Sequence, residues 1–231
     1  MLAGLLAAFV AATFAFVVAE PRIDAAIAVE ARHAAATMAG THDEELVSRA
    51  TQKGAGLYTA MMLYGTALGG LFAIVFAGLH GRIGRSGPRA LALLLALAAF
   101  LVVVVVPAIV YPPTPPAVGL HETVLMRTAA FFGMLALSVL AATVALWTFR
   151  HTAGRWRPLD RMLAAGGLYV ALVIIGQLLL PPVDEVPADF PATLLWQFRL
   201  AALATQGVFW LVAGDLFGRL AERLLMVEVR R

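Results

Sequence analysis

The sequence predicts an all-α fold: a polytopic membrane bundle of six transmembrane helices, one integral membrane domain over 1–231, with both termini cytoplasmic. Three observations predict it. Six stretches carry almost no charge and approach the roughly 20 apolar residues that a bilayer crossing requires. They set spans at about 2–19, 55–79, 90–111, 128–149, 162–181 and 198–218. The composition, 61% hydrophobic and only 13% charged, is far from that of a soluble domain. Finally, the charges are sorted by sign. The even connections and the C-terminal tail hold eleven bases against four acids; the odd connections hold six bases against ten acids. Short Arg-rich loops stay cytoplasmic, so the acidic segment 20–54 and loops 112–127 and 182–199 face outward.

The first span lacks a basic leader, and Phe16–Glu20 offers no small-residue cleavage pattern. It is therefore expected as a retained helix. Glu20-Pro21 ends it, with proline placed to open a new helix. Arg22–Met38 is Ala-rich with Ile23 and Ile27 one turn apart, predicting a helix on the outer surface. Ala39-Gly40 breaks that helix. Thr41-His42-Asp43-Glu44 has the form of a capping box, from which a long helix is expected to run through the second span. Within that span Gly65-x-x-x-Gly69, followed by Gly70, offers a close-packing surface. Pro107 predicts a kink near the outer end of the third span. The chain then leaves the membrane through the stiff run Tyr111-Pro112-Pro113-Thr114-Pro115-Pro116. The fifth span exits at Pro181-Pro182, and Asp189-Phe190-Pro191 starts the last helix, with Trp196 at interfacial depth.

Several chemistries are excluded. The chain has no cysteine, which removes disulfides, thiolate metal sites and iron–sulfur ligation. It has no phosphate-binding G-x-x-x-x-G-K-[ST] loop, and Lys53 is its one lysine. Gly84-Arg85-Ser86-Gly87 resembles an intramembrane protease motif, but every histidine (33, 42, 80, 121, 151) lies in a loop or at a span edge. His121-Glu122 begins an H-E-x-x-H motif whose second histidine is missing. No enzyme is predicted. The basic balance implies no nucleic acid, because the arginines flank membrane spans, where anionic lipid headgroups are the expected partner.

Polar residues inside spans are costly and so are candidates for function. Asp215 lies near the inner end of the last span, one turn before Arg219, and an ion pair there is favoured over an ion relay. Gln177 and Gln206 could bond between helices or line a path for a hydrated cation. Met61 and Met62, adjacent and so diverging, read as core rather than as soft ligands. The outward acids are more suggestive as a set. Glu20, Asp24, Glu30 and His33 crowd the first outer segment with His42, Asp43, Glu44 and Glu45. His121 and Glu122, then Asp184 and Glu185, sit at the mouths of the other two outer loops. Carboxylate and imidazole together suit borderline divalent metals, with Glu30 and His33 three apart on one helix face. Capture would weaken in acid as histidine protonates. The alternative is a solvated acidic surface, with Asp43 and Glu44 stabilising a helix N-terminus.

Five blocks carry a family resemblance: Glu20-Pro21-x-Ile23-Asp24, Val47-Ser48-Arg49, Tyr64-Gly65, Tyr111-Pro112-Pro113-x-Pro115-Pro116, and the stretch from Glu185-Val186-Pro187 through Asp189-Phe190-Pro191-Ala192-Thr193-Leu194-Leu195-Trp196 to Phe198-Arg199. In this order they resemble the CbtA family of cobalt transporter subunits, over nearly the whole chain. The resemblance implies a component of cobalt uptake in the bacterial inner membrane, associated with cobalamin production. It implies Co²⁺ as the transported ion, no permanently bound cofactor, and a small CbtB-like companion with one span and a His-rich end. It also implies a histidine-rich first outer segment. Here only His33 and His42 are present, which shifts the burden of capture to carboxylates or to the partner. The competing expectation is a non-transporting membrane scaffold, supported by the lack of charge at mid-membrane.

Overall fold

The computed structural model describes residues 1–37, 47–82, 86–119, 121–183 and 185–229. Among them the chain is helical without strands. The helices are α1 (Leu2–Val18), α2 (Glu20–Thr37), α3 (Arg49–Leu79), α4 (Pro88–Val110), α5 (Val124–His151), α6 (Pro158–Leu179) and α7 (Ala192–Val229). Helices α3 to α7 are each long and apolar enough to cross a membrane. The pair α1–α2, bent by 47°, raises the number of candidate spans to six.

The α1–α2 bend has a local cause. Pro21 has no N–H to offer the preceding turn, and Arg22 N–H bonds Ala19 O instead of continuing the α-helical ladder. The Val18 carbonyl left over accepts the Arg22 guanidinium. Helix α3 starts later than the sequence suggests. Residues 38–46, including the Thr41–Glu44 capping box, lie outside the described residues. Val47 and Ser48 are not helical, so no continuous helix runs from the box into the second span. Ser48 is instead the N-cap, its Oγ accepting from Thr51 N–H at 3.3 Å. One turn on, residues Gln52–Gly56 form a π turn around Gly54 (φ −93°, ψ −107°).

The contacts divide the chain into two compact units. Unit 1 comprises Met1–Phe100, Thr114–Ala117 and Asp189–Arg231. In it α1 packs on α3 and α7, and the first half of α4 packs on α7. The seam is built from small residues. Ala7, Ala8, Ala11 and Ala12 are fully buried. A Cβ at Gly69 would lie 2.9 Å from the Gly4 Cα, and one at Gly65 would lie 2.8 Å from the Gly4 carbonyl oxygen. Gly65-x-x-x-Gly69 is therefore a backbone-to-backbone contact, the arrangement lipid-embedded helices use to gain packing without a hydrophobic driving force. Towards the other end the seam widens around Phe72, Phe76 and Phe217, with ring centroids 5.0–5.1 Å apart.

Unit 2 comprises Leu101–Pro113 and Val118–Ala188. Here α5 packs on α6 and on the end of α4. Where the sequence predicts a kink, α4 carries a π turn at Phe100–Val105 just before the buried Pro107. In π register the Val102 carbonyl would accept from residue 107, which as proline has no N–H. The Ser138 hydroxyl, itself fully buried, donates to that carbonyl at 2.7 Å and shares a 2.8 Å bond with the Tyr169 hydroxyl. Beyond Tyr111 the proline run is non-helical, as expected, and the Tyr111 hydroxyl donates to Pro181 O at 2.8 Å.

Candidate metal-capture site

The bend at Ala19–Pro21 brings the first turn of α2 against the first turns of α3. Glu20 and Asp24 are one turn apart on α2, and Arg49 and Lys53 are one turn apart on α3, so two charge pairs with matched spacing face each other. Arg49 Nη2 pairs with Glu20 Oε2. Arg49 Nε donates to Asp24 Oδ1 at 3.0 Å, and Lys53 Nζ donates to Asp24 Oδ2 at 3.2 Å. Ser48, by capping α3, fixes where Arg49 emerges, and the π turn at Gln52–Gly56 sets the position of Lys53. Glu20 is buried, at 6% exposure; such an acid stays charged only with partners. Burial pushes the Asp24 carboxyl up, but the hydrogen bonds and charges of Arg49 and Lys53 outweigh it and hold the group below the usual carboxylate range.

The rest of the expected ligand set is more dispersed. Glu30 is exposed on α2. His33, three residues on, has its Nε2 2.9 Å from Asp189 Oδ2, so this imidazole is tied to the segment preceding α7. These residues belong to unit 1. In unit 2, Glu122 is exposed in the short 3₁₀ turn His121–Thr123. Glu185 is shielded and lies 3.5 Å from Arg127 Nε. Gly119, at φ +108°, makes room for that arginine; a Cβ there would fall 2.6 Å from the Arg127 Cζ. The His121 side chain and Asp184 lie outside the described residues. Among the described residues no three His, Asp or Glu side chains converge as a ready-made metal site.

Along the spans, Gln177 is exposed and Gln206 half-buried. Asp215 is doubly paired, with Arg219 Nε at 2.7 Å and Arg89 Nη2 also at 2.7 Å. The Arg219 partner was legible from spacing; Arg89, 126 residues earlier in the chain, was not. Sequence reasoning also missed Arg49 and Lys53 as partners of the outer acids, and Ser138 and Tyr169 as buried polar groups. The matched spacing of 20/24 and 49/53 is the one signal that could have suggested the first pairing.

A family model described as "Probable cobalt transporter subunit (CbtA)" matches residues 1–222 of the chain. No curated protein and no solved structure matches it.

Proposed function

Because the chain belongs to the CbtA family, whose model covers residues 1–222, we propose that it is the membrane component through which a divalent transition metal, Co²⁺ foremost, enters a bacterial cell across the inner membrane. The observation that carries this reading is the four-residue cluster of Glu20, Asp24, Arg49 and Lys53. Two carboxylates there are neutralised by two internal cations. One arriving dication can replace both, so capture conserves charge and leaves no buried carboxylate uncompensated.

In this proposal Glu20 and Asp24 are the first ligands. Glu30 and His33 in unit 1, and His121, Glu122, Asp184 and Glu185 in unit 2, are proposed as further outer groups, each set concentrating cations at its own unit, an effect that salt weakens. Imidazole from His33 or His121 would favour borderline ions over Mg²⁺ and Ca²⁺. Gln177 in unit 2 and Gln206 in unit 1 are each proposed to offer an amide to the passing ion, and both termini are proposed to lie in the cytoplasm. With the site partly occupied by the protein's own arginine and lysine, tight sequestration is assigned to a small single-span, His-rich CbtB-like partner. Cobalt is cargo here, not a resident cofactor, and no catalytic step is invoked. Membrane lipid is the surrounding partner.

A second reading, a scaffold that holds a partner without conducting metal, draws on Asp215. The one carboxylate within the predicted spans is committed to two arginines, which leaves no free acid to relay a cation. Labelled-cobalt uptake separates the two. Cells expressing the chain with its neighbouring small subunit should accumulate cobalt. The double substitution Glu20→Gln/Asp24→Asn should lower uptake at limiting cobalt by at least about tenfold, the equivalent of roughly 1.4 kcal/mol of capture, without loss of membrane insertion. Undiminished uptake in that variant removes the proposed mouth; no entry into proteoliposomes containing both subunits supports the scaffold.

A further inference from the structure

At the other end of unit 1 the charges do not balance. Asp215 on α7 accepts from Arg89 on α4, through Nε at 3.1 Å and Nη2 at 2.7 Å, and from Arg219 one turn later through Nε at 2.7 Å. Gly218 permits the approach, since a Cβ there would lie 3.0 Å from the Arg89 Cα. One carboxylate therefore holds two guanidinium groups, and the cluster keeps a net positive charge. The carboxylate is the shielded member, its side chain 29% exposed against 43% for Arg89 and 55% for Arg219. Asp215 engages Nε and Nη2 of Arg89 and Nε of Arg219, which leaves Arg219 Nη1 and Nη2 and Arg89 Nη1 outside these bonds. Arg223 is exposed one further turn along α7, and like charges at that spacing repel unless an anion lies between them.

We propose that Arg89 and Arg219, anchored through Asp215, form a binding site for an anionic phosphate group. Guanidinium groups with outward N–H forks match phosphate oxygens in geometry and charge, and Asp215 fixes both side chains before the ligand arrives, which lowers the ordering cost of binding. The surroundings favour a phospholipid headgroup as the source of that phosphate. Leu220 and Leu224, the residues next to Arg219 and Arg223, are exposed and suit acyl chains. An Arg-rich membrane boundary is where anionic lipid accumulates.

The full chain, purified in a phosphate-free nonionic detergent, is melted in the presence of dihexanoyl-phosphatidylglycerol, inorganic phosphate or dihexanoyl-phosphatidylcholine. Phosphatidylglycerol should stabilise the wild type in a saturable manner, and Arg219→Gln should raise its half-saturating concentration about tenfold, the loss of one charge-assisted contact. That variant keeps the Arg89–Asp215 pair, and its unliganded melting reports whether the fold survives. If it does not, Arg219→Lys, which keeps the charge and loses the fork, carries the same comparison. Stabilisation by phosphatidylglycerol but not by inorganic phosphate supports a lipid site, whereas equal stabilisation by both supports a site for free phosphate as well. The proposal is overturned if no ligand stabilises the wild type, if phosphatidylcholine does so equally, or if the surviving variant titrates like the wild type.

Discussion

Two arginine–carboxylate clusters in unit 1 use the same chemistry with different stoichiometry. Towards one end, Glu20 and Asp24 meet Arg49 and Lys53, two charges against two. Towards the other, Asp215 alone meets Arg89 and Arg219, one against two. The burial differs as well. In the first cluster Glu20 is hidden, its side chain 8% exposed, while Asp24 is open at 41%; in the second every member is at least partly open. A balanced cluster with a buried acid can exchange its internal cations for an external one. An unbalanced, open cluster can only add an anion. On the two proposals, the sign of the ligand follows from the count of charges rather than from the kinds of side chain present.

The strongest way to break this contrast is to remove one arginine from each cluster. Arg49→Gln strands the Glu20 carboxylate in a buried position, and losing one partner of such a pair costs about 3 kcal/mol. Arg219→Gln leaves Asp215 paired with Arg89 and removes a half-exposed contact worth under about 1 kcal/mol. Unfolding each variant with increasing sodium dodecyl sulfate in mixed micelles measures both. Equal losses would mean that burial does not distinguish the clusters.

A smaller effect tests exchange itself. Lys53→Gln removes one internal competitor from Asp24 while Arg49 still holds Glu20, so the cluster acquires a net negative charge. One unit charge at about 4 Å in water is worth roughly 1 kcal/mol. Apparent cobalt affinity in uptake assays should therefore rise about fivefold. Unchanged or weaker affinity would show that Lys53 does not compete with the metal, and the exchange mechanism would fail.

Much of the fold was legible because a bilayer limits what a backbone can do: six nearly uncharged stretches near spanning length leave helices as the economical solution. The proline-directed features were also legible, since Pro21 and Pro107 act within one turn of themselves. What could not be read was tertiary pairing. Ser138 looks like any small residue in a span until the π turn shows a carbonyl at Val102 for which proline supplies no donor. The start of α3 was misplaced because a capping-box pattern at Thr41–Glu44 and a plain serine cap at Ser48 obey the same local rules. Of the outer acids, sequence established their side of the membrane as an expectation and nothing about their partners. Arg49 and Lys53 were visible as charges, but that they neutralise Glu20 and Asp24 depends on a 47° bend that brings α2 back against α3.

The last and smallest effect is one of pH. Asp24 is held below the usual carboxylate range, so its contribution to the cluster is complete above the unfolded-chain value of about 3.9 and is lost only as pH falls through the still lower folded value. Between pH 5 and 8 the Asp24–Arg49–Lys53 contacts should therefore be unaffected. Histidine titrates inside that window, and its neutral form is the one that binds metal. If Glu20 and Asp24 alone capture cobalt, uptake driven by a constant gradient should be nearly flat from pH 8 to 5. If His33 or His121 is a ligand, uptake should fall towards the acid end of that range, and replacing that histidine with glutamine should flatten the profile. The pH profile therefore separates carboxylate-only capture from the mixed ligand set, and it does so without disturbing the contacts of Asp24 with Arg49 and Lys53.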